Sequence, residues 1–259
     1  MSRIYNLASW NVNGIRAAWP KGLSDFLDTG RFDLILLQET KVSDESVLSE
    51  SILKPAKYQP TFNGSKEKKG YSGTAVFSQP ESLKVKNNFG SNILSKEGRM
   101  QLVDLDDFSL LNVYFPNGGS GPERLKYKLD FYRQFLNYVK KLQTKKPVIF
   151  TGDVNTAHRP IDLARPEANK KTSGFLPEER KWLDKFEATG FVDSFRYLHP
   201  QTVRYSWWDM KTRSRDRNVG WRIDYFFVDR RLEKNIQAAD ILTDQIGSDH
   251  APITLSLKL

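Results

Sequence analysis

The chain has 259 residues, 39% of them hydrophobic, with three histidines and no cysteine. That length supports one sizeable core, the lack of cysteine excludes disulfides and thiolate metal sites, and no long apolar run or apolar leader predicts a membrane span or signal peptide, so a cytoplasmic location is expected. Forty Lys and Arg against 31 Asp and Glu leave a net charge of +9, which suits a polyanionic partner and equally suits simple solubility.

The first predicted strand runs from Ile4 to Trp10 and ends in Asn11, Val12, Asn13 and Gly14. Lys21 to Gly30 carries Leu23, Phe26 and Leu27 at helical spacing, with Gly30 as a cap. The apolar body Leu34 to Leu37 is a short buried strand leading into Gln38, Glu39, Thr40 and Lys41. A carboxylate at the end of such a strand is costly unless a cation answers it. Asp44 to Leu53 reads as a surface helix and Asn63 to Gly70 as a lysine-rich loop. Gly73 to Ser78, Met100 to Leu105 and Ser109 to Tyr114 read as strands, the last ending at a loop of Pro116, Asn117 and several glycines. Glu123 to Leu142 is the longest predicted helix, with Leu125, Leu129, Tyr132, Phe135, Leu136 and Val139 as its stripe.

The apolar run Pro147 to Phe150 then delivers Gly152, Asp153, Val154 and Asn155. Side chains two apart on an extended segment share a face, so Asp153 and Asn155 are expected to meet one ligand. A helix opens at Leu176 to Glu179, with Trp182, Leu183 and Phe186 buried. Lys211 to Asn218 is a basic loop, Arg222 to Val228 a strand containing Asp224, and Ala251 to Leu257 a closing strand preceded by Asp249 and His250. No linker divides the chain, so residues 1–259 are taken as one domain. A short echo between Trp10 to Gly14 and Asp153 to Thr156 is too brief to establish a repeat.

Asn11, Glu39, Tyr114, Asp153, Asn155, Asp224, Asp249 and His250 thus lie at or beside strands. Carboxylates without thiol partners point to a hard, oxygen-liganded metal, and an Asp near a single His points to a polarised imidazole. Taken singly, each has an ordinary use: Asn11 and Asn155 as turn formers, Asp224 in a salt bridge, His250 as a half-buried histidine.

The ordered motifs Trp10 to Arg16, Leu37 to Lys41, Tyr114 to Asn117, Gly152 to His158, Asn218 to Tyr225 and Gly247 to His250 resemble those of the exonuclease III family of abasic-site endonucleases. The resemblance runs from about residue 4 to the C-terminus. It implies a DNase I-like, four-layered α/β sandwich: two β-sheets face to face with helices outside. It also implies a monomeric, Mg²⁺-dependent enzyme, with Mn²⁺ as an alternative ion, that cuts duplex DNA on the 5′ side of an abasic site and leaves a 3′-hydroxyl. Processing of 3′ ends and 3′-to-5′ exonuclease action belong to the same expectation, as does association with the nucleoid in a bacterial or archaeal source.

By the same resemblance Glu39 holds the metal, with Asn11 and Asp249 beside it. Asp153 orients or deprotonates the attacking water and Asn155 holds it. His250, braced by Asp224, contacts the phosphate, and Tyr114 stabilises or protonates the departing oxygen. Arg16, Lys69, Tyr71, Arg99, Asn117, Arg124, Asn169, Lys170, Arg215 and Asn218 are expected at the DNA. Trp207, Trp221 and Ile223 form the pocket for a base-less sugar, whereas Trp10, Trp208 and Tyr225 are expected in the core and His158 in a structural role. Asn13 stands where some members carry an aspartate, which lowers the expected metal affinity, and Ser120 where some carry an arginine. Gly174 is expected to leave room for duplex to continue past the site. The rival readings are another metal phosphodiesterase of this fold class, acting on nucleic acid or on lipid head groups, and a catalytically silent nucleic-acid-binding module.

Overall fold

A computed structural model of the chain describes residues 3–79 and 83–259. Its strands are β1 (Ile4–Asn11), β2 (Leu34–Gln38), β3 (Gln59–Asn63), β4 (Thr74–Ser78), β5 (Val85–Lys86), β6 (Met100–Asp104), β7 (Ser109–Val113), β8 (Val148–Asp153), β9 (Phe191–Asp193), β10 (Asp224–Asp229), β11 (Ile236–Ile241) and β12 (Ile253–Lys258). They form two six-stranded sheets, ordered β11-β12-β1-β2-β4-β3 and β5-β6-β7-β8-β10-β9. β1 pairs in parallel with β2, and β7 with β8; the other neighbours are antiparallel.

The helices are α1 (Ile15–Ala18), α2 (Leu23–Asp28), α3 (Glu50–Leu53), α4 (Asn92–Ser95), α5 (Pro122–Gln143), α6 (Pro177–Glu187) and α7 (Ser194–Leu198). Three apolar layers make the expected four-layered sandwich. Leu7, Leu36 and Val76 of the first sheet meet Leu110, Ile149 and Phe226 of the second. Phe131, Phe135, Trp182 and Phe186 of α5 and α6 cover the second sheet at Leu111, Phe150 and Phe227. Phe26, Leu27 and Ile52 cover the first at Ile35, Leu37 and Phe77. A polar stitch crosses the interior where Gln38 Nε2 donates to Asn112 Oδ1 at 2.8 Å. Among the described residues no helix is long and apolar enough to cross a membrane.

Two predicted helices are shorter than expected. Asp44 to Leu53 breaks into a 3₁₀ turn, Glu45–Val47, and α3, because Leu48 is extended between them. Lys21 to Gly30 yields only α2, since Gly22 sits at φ 125° and separates it from the turn Trp19–Lys21. The short strands β3, β5, β9 and the edge strand β11 escaped the apolar pattern.

Beneath β10 lies a buried charge cluster. Asp162 accepts from Arg222 Nε at 2.8 Å and from Arg196 Nη2 at 2.6 Å, while Arg222 Nη2 reaches Asp193 at 2.7 Å. Burial alone would raise the Asp162 carboxyl, but Arg222 and then Arg196 outweigh it and hold it at about 2. Its folded value lies below its unfolded one, so this stability is present above roughly pH 4 and is lost as pH falls toward 2. Asp162→Asn leaves two buried guanidinium groups underpaired and is expected to cost about 3–5 kcal/mol in urea unfolding at neutral pH.

Candidate active site

Strand ends from both sheets converge on one cleft of about 380 Å³. Asn11 closes β1 and Glu39 follows β2, while Asp153 closes β8 directly opposite Asp224, the first residue of β10. The echo noticed in the sequence therefore has a spatial sense: Asn11 and Asp153 end inner strands of facing sheets, and Asn11 Nδ2 donates to Asp153 Oδ2 at 2.9 Å. Gly152 is obligatory at φ 136°, where an added Cβ would lie 1.9 Å from the Val113 carbonyl oxygen.

Asp153 is 1% exposed and accepts three hydrogen bonds. Its Oδ1 receives the Asn155 backbone N–H at 2.7 Å, and its Oδ2 receives Asn11 and the Asn155 amide, the latter at 3.0 Å. Burial, and next the Asp224 charge, push the carboxyl up to about 7, with His250 pulling the other way. Two carboxylates paired across adjacent strands repel, and His250 lies between them. Its Nδ1 donates to Asp224 Oδ2 at 2.9 Å and its Nε2 is 4.0 Å from Asp153 Oδ2. Burial opposes the imidazolium charge, but Asp224, then Asp153 and Asp249, raise it to about 10. Ser206 Oγ donates to the same Asp224 oxygen at 2.6 Å, completing the brace.

Asp153, Asp224 and His250 bring ligand-type atoms within 4.8 Å of one another. An imidazolium has no free lone pair for a metal, so this cluster reads better as a proton and charge array. The expected metal set lies on the more open wall. Glu39 Oε2 accepts from Tyr114 Oη at 3.0 Å and from Asn11 Nδ2 at 3.3 Å, and Glu39 Oε1 faces Lys41 Nζ at 3.1 Å. Asp249 Oδ1 accepts from Asn13 Nδ2 at 3.0 Å and Oδ2 from Trp207 Nε1 at 3.1 Å. Burial would raise Asp249, but His250 and these bonds hold it below the usual range. Burial and then Glu39 push Tyr114 well above its ordinary value, so it stays a donor.

The opposite wall is apolar. Trp207 and Trp221 are half-buried, Ile223 is buried, and all three line the cleft as expected, with Gly174 beside them. Trp10, Trp208 and Tyr225 are core residues. His158 is buried away from the cleft against Asp184, at 2.8 Å. Gly174 has a conformational reason of its own: φ is 99°, and an added Cβ would lie 3.2 Å from both Trp221 and the Asn155 carbonyl oxygen. A larger residue there disturbs the pocket wall whatever it does to passing duplex.

The positions expected at DNA divide by exposure. Arg16, Lys69, Asn117, Lys170 and Asn218 are exposed, while Tyr71, Arg124 and Asn169 are partly so. Asn117 Nδ2 donates to Asn155 Oδ1 at 3.0 Å. Arg99 departs from expectation: at 1% exposure it cannot reach a phosphate. Its guanidinium bonds Glu97, the Tyr114 carbonyl and Tyr71 Oη, and lies 4.7 Å over the Tyr114 ring, so it supports the site from within. Arg215 directs its two terminal nitrogens at the Ser248, Thr243 and Gln245 carbonyls, tying the basic loop to the loop before β12. Ser206 and Lys41 were missed, although Lys41 closes the motif Leu37 to Lys41 and Ser206 adjoins the pocket residue Trp207.

The sequence matches the Endonuclease/Exonuclease/phosphatase family over residues 8–250. It is 43% identical to an exodeoxyribonuclease of Bacillus subtilis (strain 168) across 98% of this chain and 99% of that one. It is 38% identical to the DNA repair nuclease APEX1 of Danio rerio, covering 98% and 82% of the two chains. The fold superposes on an AP endonuclease of Leishmania major with a TM-score of 0.90 at 29% identity, covering 99% of this chain and 88% of that one.

Proposed function

The chain belongs to the Endonuclease/Exonuclease/phosphatase family, and within it we propose a DNA-repair phosphodiesterase that hydrolyses duplex DNA 5′ to abasic sites, leaving a 3′-hydroxyl. The observation that carries the reading is one cleft with two unlike walls. A carboxylate, amide and imidazolium array lies against an apolar pocket of Trp207, Trp221 and Ile223. Phosphodiester hydrolysis needs the first, and a flipped sugar that has lost its base fits the second, because extrusion is easiest where nothing stacks.

Asp153 accepts the proton of the attacking water, and Asn155, fixed to it by two hydrogen bonds, orients that water. His250, protonated on both nitrogens, directs Nε2 positive charge at the phosphate while Asp224 holds Nδ1. Tyr114 keeps its proton at neutral pH and stands ready to donate to the leaving 3′ oxygen. Glu39 and Asp249 offer carboxylate oxygens suited to a hard divalent cation, and the Lys41 ammonium against Glu39 marks this carboxylate as one that takes a positive partner. Asn11, against expectation, turns its amide N–H groups toward Glu39 and Asp153 and gives its Oδ1 to the Asn13 backbone N–H. When bound, Mg²⁺ or Mn²⁺ supplies charge neutralisation on the phosphate and leaving oxygens. Arg16, Lys69, Lys170 and Asn218 place the backbone without reading sequence. The reading extends to a monomeric, cytoplasmic enzyme of a single domain, with 3′-end processing in the same cleft.

The discriminating experiment compares a duplex with one abasic analogue, the intact duplex, and phosphorylated lipid head groups as substrates. The abasic duplex is expected to be preferred over the intact one by at least about 100-fold in kcat/KM. Equal cutting of both duplexes, or preference for a head group, would overturn the reading.

A further inference from the structure

Helix α5 turns a lysine inward within an otherwise apolar face. Lys128 is 0% exposed, and its ammonium donates to three acceptors: the Asn155 carbonyl at 2.7 Å, Thr156 Oγ1 at 2.8 Å and Glu179 Oε1 at 2.7 Å. An ammonium has three N–H groups, so none is left over. Glu179, also 0% exposed, accepts in addition from Ser173 Oγ at 2.9 Å, Gly174 N at 2.6 Å and Leu176 N at 3.0 Å. One buried ion pair therefore reaches both the turn that carries Asn155 and the loop that carries Ser173 and Gly174.

Stability alone does not explain this pair. A buried ion pair commonly gains little over apolar side chains of similar volume, and an apolar residue would continue the α5 stripe. The Asn155 turn, by contrast, needs restraint. Asn155 sits at φ 54°, a left-handed conformation that asparagine enters more readily than other side chains, so it is the bonds around the turn that fix where its amide points. On the cleft side, its amide is held by Asp153, Phe115 and Asn117. On the other side, its carbonyl is held by the charge-assisted bond from Lys128.

We propose that Lys128 is a positioning residue for phosphodiester hydrolysis, fixing through the Asn155 carbonyl the left-handed turn that keeps Asn155 against Asp153. The proposal rests on the reading of Asp153 and Asn155 as the pair that handles the attacking water. Its effect therefore falls on turnover and not on substrate capture.

Lys128→Met alone leaves Glu179 charged and buried, so the informative variant is Lys128→Met/Glu179→Gln. It is neutral at both positions, keeps an acceptor for Gly174 N and Leu176 N, and removes the link to Asn155. Steady-state incision of an abasic duplex is measured beside thermal melting, with wild type in the same series. The double variant is expected to melt close to wild type, with kcat lower by at least about tenfold and KM within about twofold. Glu179→Gln, which retains the Lys128 bond to Asn155, is expected to keep kcat within about threefold. A folded double variant with wild-type kcat overturns the proposal, as does an equal loss in kcat and KM. Should the double variant not fold, a tenfold or greater kcat loss in Glu179→Gln, about what is expected of the double variant, overturns it instead. Wild-type incision stands for the functional reading itself, so the two fail separately.

Discussion

Asp153→Asn is expected to slow incision of an abasic duplex by about 10³-fold or more, within the range that loss of a general base gives. The carboxyl is buried, receives three donors, and is held at about 7 by burial and by Asp224. That value is low enough for the base to be ionised near neutrality and high enough for it to accept a proton. An asparagine has the same size but cannot take the proton, and its NH₂ would face either the Asn155 backbone N–H that now donates to Oδ1 or the Asn11 and Asn155 amides that now donate to Oδ2. Single-turnover incision is the measurement, with melting as the control, because the fold does not depend on this charge: removing one of two opposed carboxylates relieves their repulsion.

His250→Asn is expected to lower the same rate by about 10²–10³-fold, as loss of a charged donor to a transition state does. The pH profile separates this role from a packing role. The active form carries Asp153 ionised and His250 protonated. The wild-type rate should therefore rise as pH rises through about 7 and fall as it passes about 10. In the variant the alkaline limb should vanish. The acid limb should move to higher pH, because His250 is the positive charge that draws the Asp153 carboxyl down. A variant that keeps both limbs in place would give the alkaline limb to another group.

The layered fold was legible because its inner strands are unbroken apolar runs, each ending in polar residues. Leu34 to Leu37 leading into Glu39 and Val148 to Phe150 leading into Asp153 can be read without any structure. Edge elements were not legible: β3 and β5 carry too few apolar residues, and Leu48 breaks a helix whose spacing looked continuous. The cleft residues followed from motif order, and the structure brings Glu39, Tyr114, Asp153, Asn155, Asp249 and His250 to its walls. What the motifs do not encode is what each long side chain meets. Arg99 looks like any basic residue near a DNA surface, yet Glu97, Tyr71 and Tyr114 hold it inside. Lys128 looks like a solvated helix position, and its acceptors Asn155, Thr156 and Glu179, the last 51 residues away, make it a core residue. Partners distant in the chain decide such cases.

The most direct test is single-turnover incision of a duplex carrying one abasic analogue, by wild type and Asp153→Asn, each in Mg²⁺ and in a chelator. Wild type in Mg²⁺ should cut 5′ to the lesion and leave a 3′-hydroxyl, the chelator should abolish cutting, and the variant should be slower by about 10³-fold. Undiminished cutting by the variant, or by wild type in the chelator, would contradict the assignment of this cleft to metal-assisted hydrolysis with Asp153 as its base.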